Sequence, residues 1–319
     1  MSVNGKVVSV RSPLAAIAPG IFSLGFFFAS MVAPPLGLFA PAPLYFALVT
    51  NGYLIGALVA LAAAAVILAT GGLAQAGLYL STCGLMAMAM AFSYNRGHSL
   101  ERTLAYATIP VYLAGALAFF AAASLDGRSV MDTMQRMGLG LVDSLADSYA
   151  GVNADQALLD WLKENREGLA GLFARLFPGM AFITLLLMAS LNIAAVRIYS
   201  LRRGLTAHFA NHDFAGFAAA DWVVWALIAG GAGTLMATGP LNTASMNILL
   251  ITLSIYLIQG MAILHSWFLR FNIPLIARGI GYFLVFSHPL MMLLISGLGL
   301  TDVWVEFRKK NNAKPEVNP

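Results

Sequence analysis

Residues 243–268 read TASMNILLITLSIYLIQGMAILHSWF. A bilayer with a hydrocarbon core about 30 Å thick needs roughly twenty apolar residues per helix, and this stretch exceeds that without one Asp, Glu, Lys or Arg. Its polar residues are ordered. Ser245, Thr252, Gln259 and Ser266 recur every seven residues, and Tyr256 joins their face at helical spacing. Asn247, Ser254 and His265 fall on another side. Polar side chains at bilayer depth are costly and face a bundle interior or a wet cavity. Two polar stripes therefore predict a helix walled off from lipid by its neighbours.

The rest of the chain repeats the apolar pattern. Of 319 residues, 60% are hydrophobic and 10% charged, whereas a soluble domain is about a quarter charged. Spans are expected near 12–33, 36–69, 72–93, 104–124, 169–200, 219–238, 243–268 and 278–299. The fold class is all-α: a polytopic transmembrane helical bundle of about eight spans, one transmembrane domain over 1–319 with a polar tail from 301. The apolar run Leu14–Ala33 follows Lys6 and Arg11. It is longer than the h-region of a signal peptide, about 7–15 residues, and reads as an uncleaved first span. Residues 36–69 are ambiguous. Pro34, Pro35, Pro41 and Pro43 open the stretch and Asn51-Gly52 interrupts it, so it is one long tilted helix or two half-spans, which would make about nine spans. Backbone groups freed at membrane depth need partners in protein or water, and interrupted helices of this kind line substrate sites in transporters.

Charge bounds the partners. The net charge is +4, but the basic residues are scattered at span ends rather than gathered on one face, which argues against nucleic acid. They are dense at Arg197, Arg202 and Arg203, at Arg270 and Arg278, and at Arg308, Lys309 and Lys310. The last span separates the tail from the first two groups, so all three cannot share the cytoplasmic side. Eight spans with both ends cytoplasmic is the working expectation. The single Cys83 excludes a disulfide within the chain and a cysteine metal site.

One sizeable polar segment, 126–167, is rich in Asp and Glu. Met131, Met134, Met137, Leu141, Val142 and Leu145 recur at helical spacing. Asn153 followed by Gln156 is a capping-box signature that opens a second helix through Leu158, Leu159, Trp161 and Leu162. Such an amphipathic extramembrane insertion lies on the membrane surface or covers a cavity mouth.

Catalytic signatures are missing: there is no HExxH, GxSxG or Walker A loop. His208 and His212 have helical spacing for two metal ligands, with Asp213 beside them, but no third ligand is evident nearby. His98, Glu101 and Arg102 read as a solvated loop. No catalytic residue, metal or cofactor is expected, and the chain reads as a non-enzyme. A lipid-modifying enzyme using His98, His208 or His212 is the minor reading. Without an ATP-binding loop, active transport would draw on an ion gradient or a separate ATPase. The expected ligand wall is Gln259, Tyr256, Asn247 and His265, with Asn51 and Asn192 nearby. The competing explanation of these residues is interhelical hydrogen bonding, worth about 0.6 kcal/mol per contact. Asp221 at the start of a helix is explained by the helix dipole, and His288-Pro289 interrupts the last apolar run.

The pieces Asp221-Trp222-Val223-Val224-Trp225, 256–263 (YLIQGMAI) and 298–309 (LGLTDVWVEFRK), with Pro41-Ala42-Pro43 near the start, resemble the YybS-like (DUF2232) bacterial membrane proteins, a family of unknown function. The length and span count fit that family. It is distantly similar to the S components of energy-coupling-factor importers, which bind vitamins or metal ions and dock on a transmembrane subunit with ATPases. The resemblance implies a multi-pass protein of the bacterial inner membrane. It also implies a small-molecule ligand held between helices, and transmembrane or ATPase partner subunits. This chain departs from S components in its length and in the 126–167 insertion. The alternative is a scaffold that recruits a protein partner through those helices.

Overall fold

A computed structural model describes residues 13–151, 156–202, 214–305 and 307. Every regular element among them is helical. The chain forms two compact units, one from residues 1–115 and 184–218, the other from 116–183 and 219–319.

In the first unit, α1 (Pro13–Ala29) is followed by the single turn α2 (Pro34–Gly37) and by α3 (Pro41–Asn51). The break at 38–40 has a simple cause. Proline has no N–H and its ring excludes a preceding helical carbonyl, and Pro41 and Pro43 stand in the first turn of α3. The chain then folds back at Gly52, whose φ of 85° is in the left-handed region that favours glycine. A β-carbon on Gly56 would lie 2.5 Å from Leu48 Cδ2, so α3 and the start of α4 (Tyr53–Tyr79) lie side by side.

The same device recurs inside α4. Gly72 is non-helical, with φ 82° and ψ 179°. Beyond it a π-helical turn, Leu80–Gly84, leads into α5 (Leu85–Asn95). Asn95 Nδ2 donates to Tyr53 Oη at 2.9 Å, and Tyr53 Oη donates to Ala91 O at 3.3 Å. Residues at opposite ends of a straight 43-residue helix would be some 60 Å apart at about 1.5 Å per residue. The helix therefore doubles back at Gly72 as a hairpin. The remaining helices of this unit come from α6 (Leu100–Leu125) and α9 (Arg166–Arg202), whose parts 100–115 and 184–202 belong to it.

The second unit contains α7 (Val130–Gly151), α8 (Gln156–Glu164), α10 (Val223–Met236), α11 (Gly239–Arg270), α12 (Leu275–Ser287) and α13 (Pro289–Val305). Here α11 is the central helix. No residue between Ile251 and Phe268 is exposed, and Ser245, Asn247, Thr252, Tyr256 and Gln259 are buried. Glycines let its neighbours approach. A β-carbon on Gly299 would stand 2.0 Å from Tyr256 O, one on Gly260 2.0 Å from Ile295 O, and one on Gly230 2.8 Å from the Leu249 backbone nitrogen. Helix α7 packs on the start of α9 in the same way, Gly138 facing the Ala170 backbone.

The expected count of about eight spans is not confirmed by the helices. Among the described residues four helical stretches are long and apolar enough to cross a membrane: 53–95, which folds back at Gly72, 100–125, 166–202 and 239–270. Pairing α12 with α13 adds a fifth, but the two are bent by 106° at His288, where Pro289 interrupts the helix. The expected spans 12–33 and 219–238 contain shorter apolar helices, Ile17–Ala29 and Val223–Met236. The stretch 36–69 is divided at Gly52. Helix α13 continues to Val305, past the expected start of the polar tail at 301. The Asn153 cap, His208, His212, Asp213 and the basic residues 308–310 lie outside the described residues.

Candidate functional site

Each unit gathers its own set of buried polar groups. In the second unit, the register of α11 points Gln259 at two neighbours. Its Oε1 accepts from the Ala219 N–H at 2.9 Å, and its Nε2 donates to Asp302 Oδ2 at 3.2 Å. Asp302 Oδ1 accepts from the Phe307 N–H at 2.9 Å. Gln259 thus ties the approach to α10 to the end of α13. One turn away, the Tyr256 side chain is fully buried and its hydroxyl has no hydrogen-bond partner.

Asn247 lies further along α11 and does a different job. Its Oδ1 accepts from the Gly179 N–H at 2.6 Å, and its Nδ2 donates to Arg175 O and Thr243 O, both at 2.7 Å. Arg175 and Gly179 flank Pro178, the proline inside α9. His265 Nδ1 pairs with Tyr282 Oη at 2.7 Å, joining α11 to α12. Gln259 and Tyr256 therefore form one locus, while Asn247 and His265 each serve a separate helix contact.

The first unit holds Asn51 and Asn192. Asn51 ends α3, beside Gly52, and its Oδ1 accepts from Thr50 Oγ1 at 3.3 Å. Asn192 is fully buried at the α2–α3 break. Its Nδ2 donates to Leu38 O at 2.6 Å and Met188 O at 2.5 Å. Both neighbours are acceptors, which fixes the amide orientation and leaves Oδ1 buried with no hydrogen-bond partner. Next to it, Ser23 Oγ donates to Ala40 O at 2.7 Å and shares a 2.7 Å bond with Tyr79 Oη. The carbonyls exposed by the proline break are thus met by side chains from two other helices, α1 and α9, with Tyr79 of α4 behind Ser23.

Sequence reasoning missed Ser23 and Tyr79. The proline cluster was the available signal: a break at membrane depth demands side chains that bond its backbone. It missed Asp302 because a carboxylate near the end of a span reads as solvated. The His98 cluster is a local network: His98 Nδ1 pairs with Ser93 Oγ at 3.2 Å, the ring stacks on Tyr106 at 5.3 Å, and Glu101 accepts from the Ala218 N–H at 3.1 Å. A groove of about 370 Å³ between α1 and α4, lined by Ile17, Leu24, Ile55, Leu58 and Val66 among others, offers only apolar side chains.

No curated protein and no solved structure matches the chain. The sequence profile described as "Predicted membrane protein (DUF2232)" matches residues 21–303. That match covers α11, both polar loci and nearly the whole helical bundle, and the chain belongs to the DUF2232 family of membrane proteins.

Proposed function

We propose that this membrane protein binds, and in its cellular setting transports, a small molecule held among its helices, with Asn192 at the ligand site. One observation carries the reading. The Asn192 carbonyl oxygen is buried in an apolar bundle without a hydrogen-bond partner, at a proline-broken helix. Leaving a buried polar atom unpaired costs about 1–3 kcal/mol, and broken helices are where transporters place their substrates. Such an atom marks a place for something the helices themselves do not supply. In the other unit, and separately from that site, the Tyr256 hydroxyl is likewise buried and unpaired, with Gln259 on the same helix. In this reading the energy for transport comes from an ion gradient or a separate ATPase subunit.

The test is thermal unfolding of the purified chain in mild detergent against a panel of vitamins, nucleobases and metal ions. A compound that raises Tm in the wild type but not in a folded Asn192→Leu variant supports the reading. A panel without effect, together with a crystal structure showing Asn192 Oδ1 filled by protein atoms, removes it.

A second reading rests on α7 and α8. Met137, Leu141 and Leu145 form an exposed apolar row on α7, and Trp161 is half-exposed on α8. This supports a scaffold that recruits a protein partner. A photo-cross-linker placed at Trp161 or Met134 in native membranes decides it: one stoichiometric protein adduct favours the scaffold, and lipid adducts alone dismiss it.

A further inference from the structure

We infer that the break between α2 and α3 accepts a single positive charge, either a bare monovalent cation or the protonated amine of a ligand. This rests on the assignment of Asn192 to the ligand site made above.

The backbone donor hydrogens of residues 38–43, and the hydroxyl and amide hydrogens of Ser23, Tyr79 and Asn192, are all committed or absent. Pro41 and Pro43 have no N–H. The Leu38 N–H goes to Pro35 O at 3.3 Å. The N–H groups of Phe39, Ala40 and Ala42 go to Leu36 O, Gly37 O and Phe39 O, each at 3.1 Å. Ser23 gives its hydroxyl hydrogen to Ala40 O, so the hydrogen between Ser23 and Tyr79 comes from Tyr79. Both Asn192 Nδ2 hydrogens point at carbonyls. What remains is lone pairs: those of Asn192 Oδ1 and the second lone pair of Leu38 O.

A helix N-terminus attracts anions through free N–H groups, and the two prolines strip α3 of them. A carboxylate or phosphate would find no free donor among these groups. A positive group would find neutral oxygens, the chemistry of carbonyl-lined sites for monovalent ions and of unwound carbonyls that coordinate ions in transporters. Calcium and magnesium are bound mainly through carboxylates. None of these oxygens belongs to one, so the charge is single.

The experiment uses the full chain in mild detergent at constant ionic strength, with choline chloride replaced stepwise by sodium, potassium or methylammonium chloride. Choline is bulky and has no N–H. At least one replacement raises Tm saturably by a few degrees, and Asn192→Leu abolishes the rise. Asn192→Asp gives up the two Nδ2 hydrogens that meet Leu38 O and Met188 O and buries a carboxyl, so it starts from a lower Tm and an added cation, which pairs with the carboxylate, raises its Tm by more than that of the wild type. A response to sodium or potassium identifies a bare ion, and one to methylammonium alone identifies an amine head. Should none of the three cations shift Tm in the wild type or in Asn192→Asp, a water is all that Asn192 Oδ1 needs and the inference is overturned. Asn192-dependent binding of neutral panel compounds would then leave the proposed function standing. Asn192-dependent binding of inorganic phosphate or acetate would overturn the inference directly.

Discussion

Asn247 on α11 and Gly179 on α9 are joined by a 2.6 Å hydrogen bond from the Gly179 N–H to Asn247 Oδ1. The same side chain donates to Arg175 O at 2.7 Å. Its amide thus bridges the carbonyl of one residue and the N–H of the residue four positions later, the two groups an α-helix pairs with each other. Pro178, which stands between them, disturbs that ladder, and Asn247 repairs it from outside. Asn247→Ala leaves both groups without that partner and is expected to cost about 1–3 kcal/mol. Thermal unfolding in detergent reads the loss. Ligand-induced shifts that survive in a folded Asn247→Ala protein would place Asn247 outside the ligand contacts.

Gly299→Ala forces α11 and α13 apart. The added carbon would stand 2.0 Å from Tyr256 O, and backbone cannot move aside as a side chain can. Overpacking of this kind costs about 1–3 kcal/mol. Gly297→Ala, where the carbon meets nothing within 4 Å, is the control on the same helix. Equal Tm values for the two variants would contradict the crossing described.

At Gly72 the strain is conformational, since no atom lies within 4 Å of an added β-carbon. With φ 82° and ψ 179° the position is almost confined to glycine, and Gly72→Ala costs about 1–3 kcal/mol. Cysteines placed at Tyr53 and Ala91, joined by a bifunctional reagent long enough to replace the tyrosine ring, test the hairpin directly. They cross-link if the chain doubles back at Gly72, and a straight helix would leave them unreactive toward each other.

Asp143 and Arg166 form a two-pronged salt bridge, both oxygen–nitrogen distances 2.6 Å. The guanidinium hydrogen bonds hold the Asp143 carboxyl below its usual range. A lowered carboxylate pKa stabilises the fold above the unfolded value, about 3.9, and that contribution disappears as pH falls through the folded value. The pair is exposed, so salt screens it. Asp143→Asn should lower Tm slightly at pH 7 in low salt, and not at all in 1 M salt or at strongly acid pH. An unchanged effect across those conditions would mean that the two side chains are not coupled.

Much of this was legible in the residues. The seven-residue recurrence of Ser245, Thr252 and Gln259 depends only on helical period, and all three are buried. The interruptions at Pro41, Gly52 and Pro289 follow from backbone sterics at single residues. Span counting was less secure because hydropathy measures length along the chain and not path through space. Residues 36–51 are apolar enough to read as part of a span, yet the proline pairs cut them into short helices. The apolar stretch 278–299 likewise conceals a bend of 106°.

The order of amino acids by itself determined the solvent, the helices and the places where they break, because lipid tolerates only satisfied backbone and each residue carries its own steric limits. Tertiary structure alone decided which polar atoms are satisfied. Asn192 meets a carbonyl 154 residues away in the chain, and Asn247 an N–H 68 residues away. Periodicity can turn a side chain inward, but only the packing of distant helices determines whether a partner is waiting there or, as at Asn192 Oδ1, an atom is left without one.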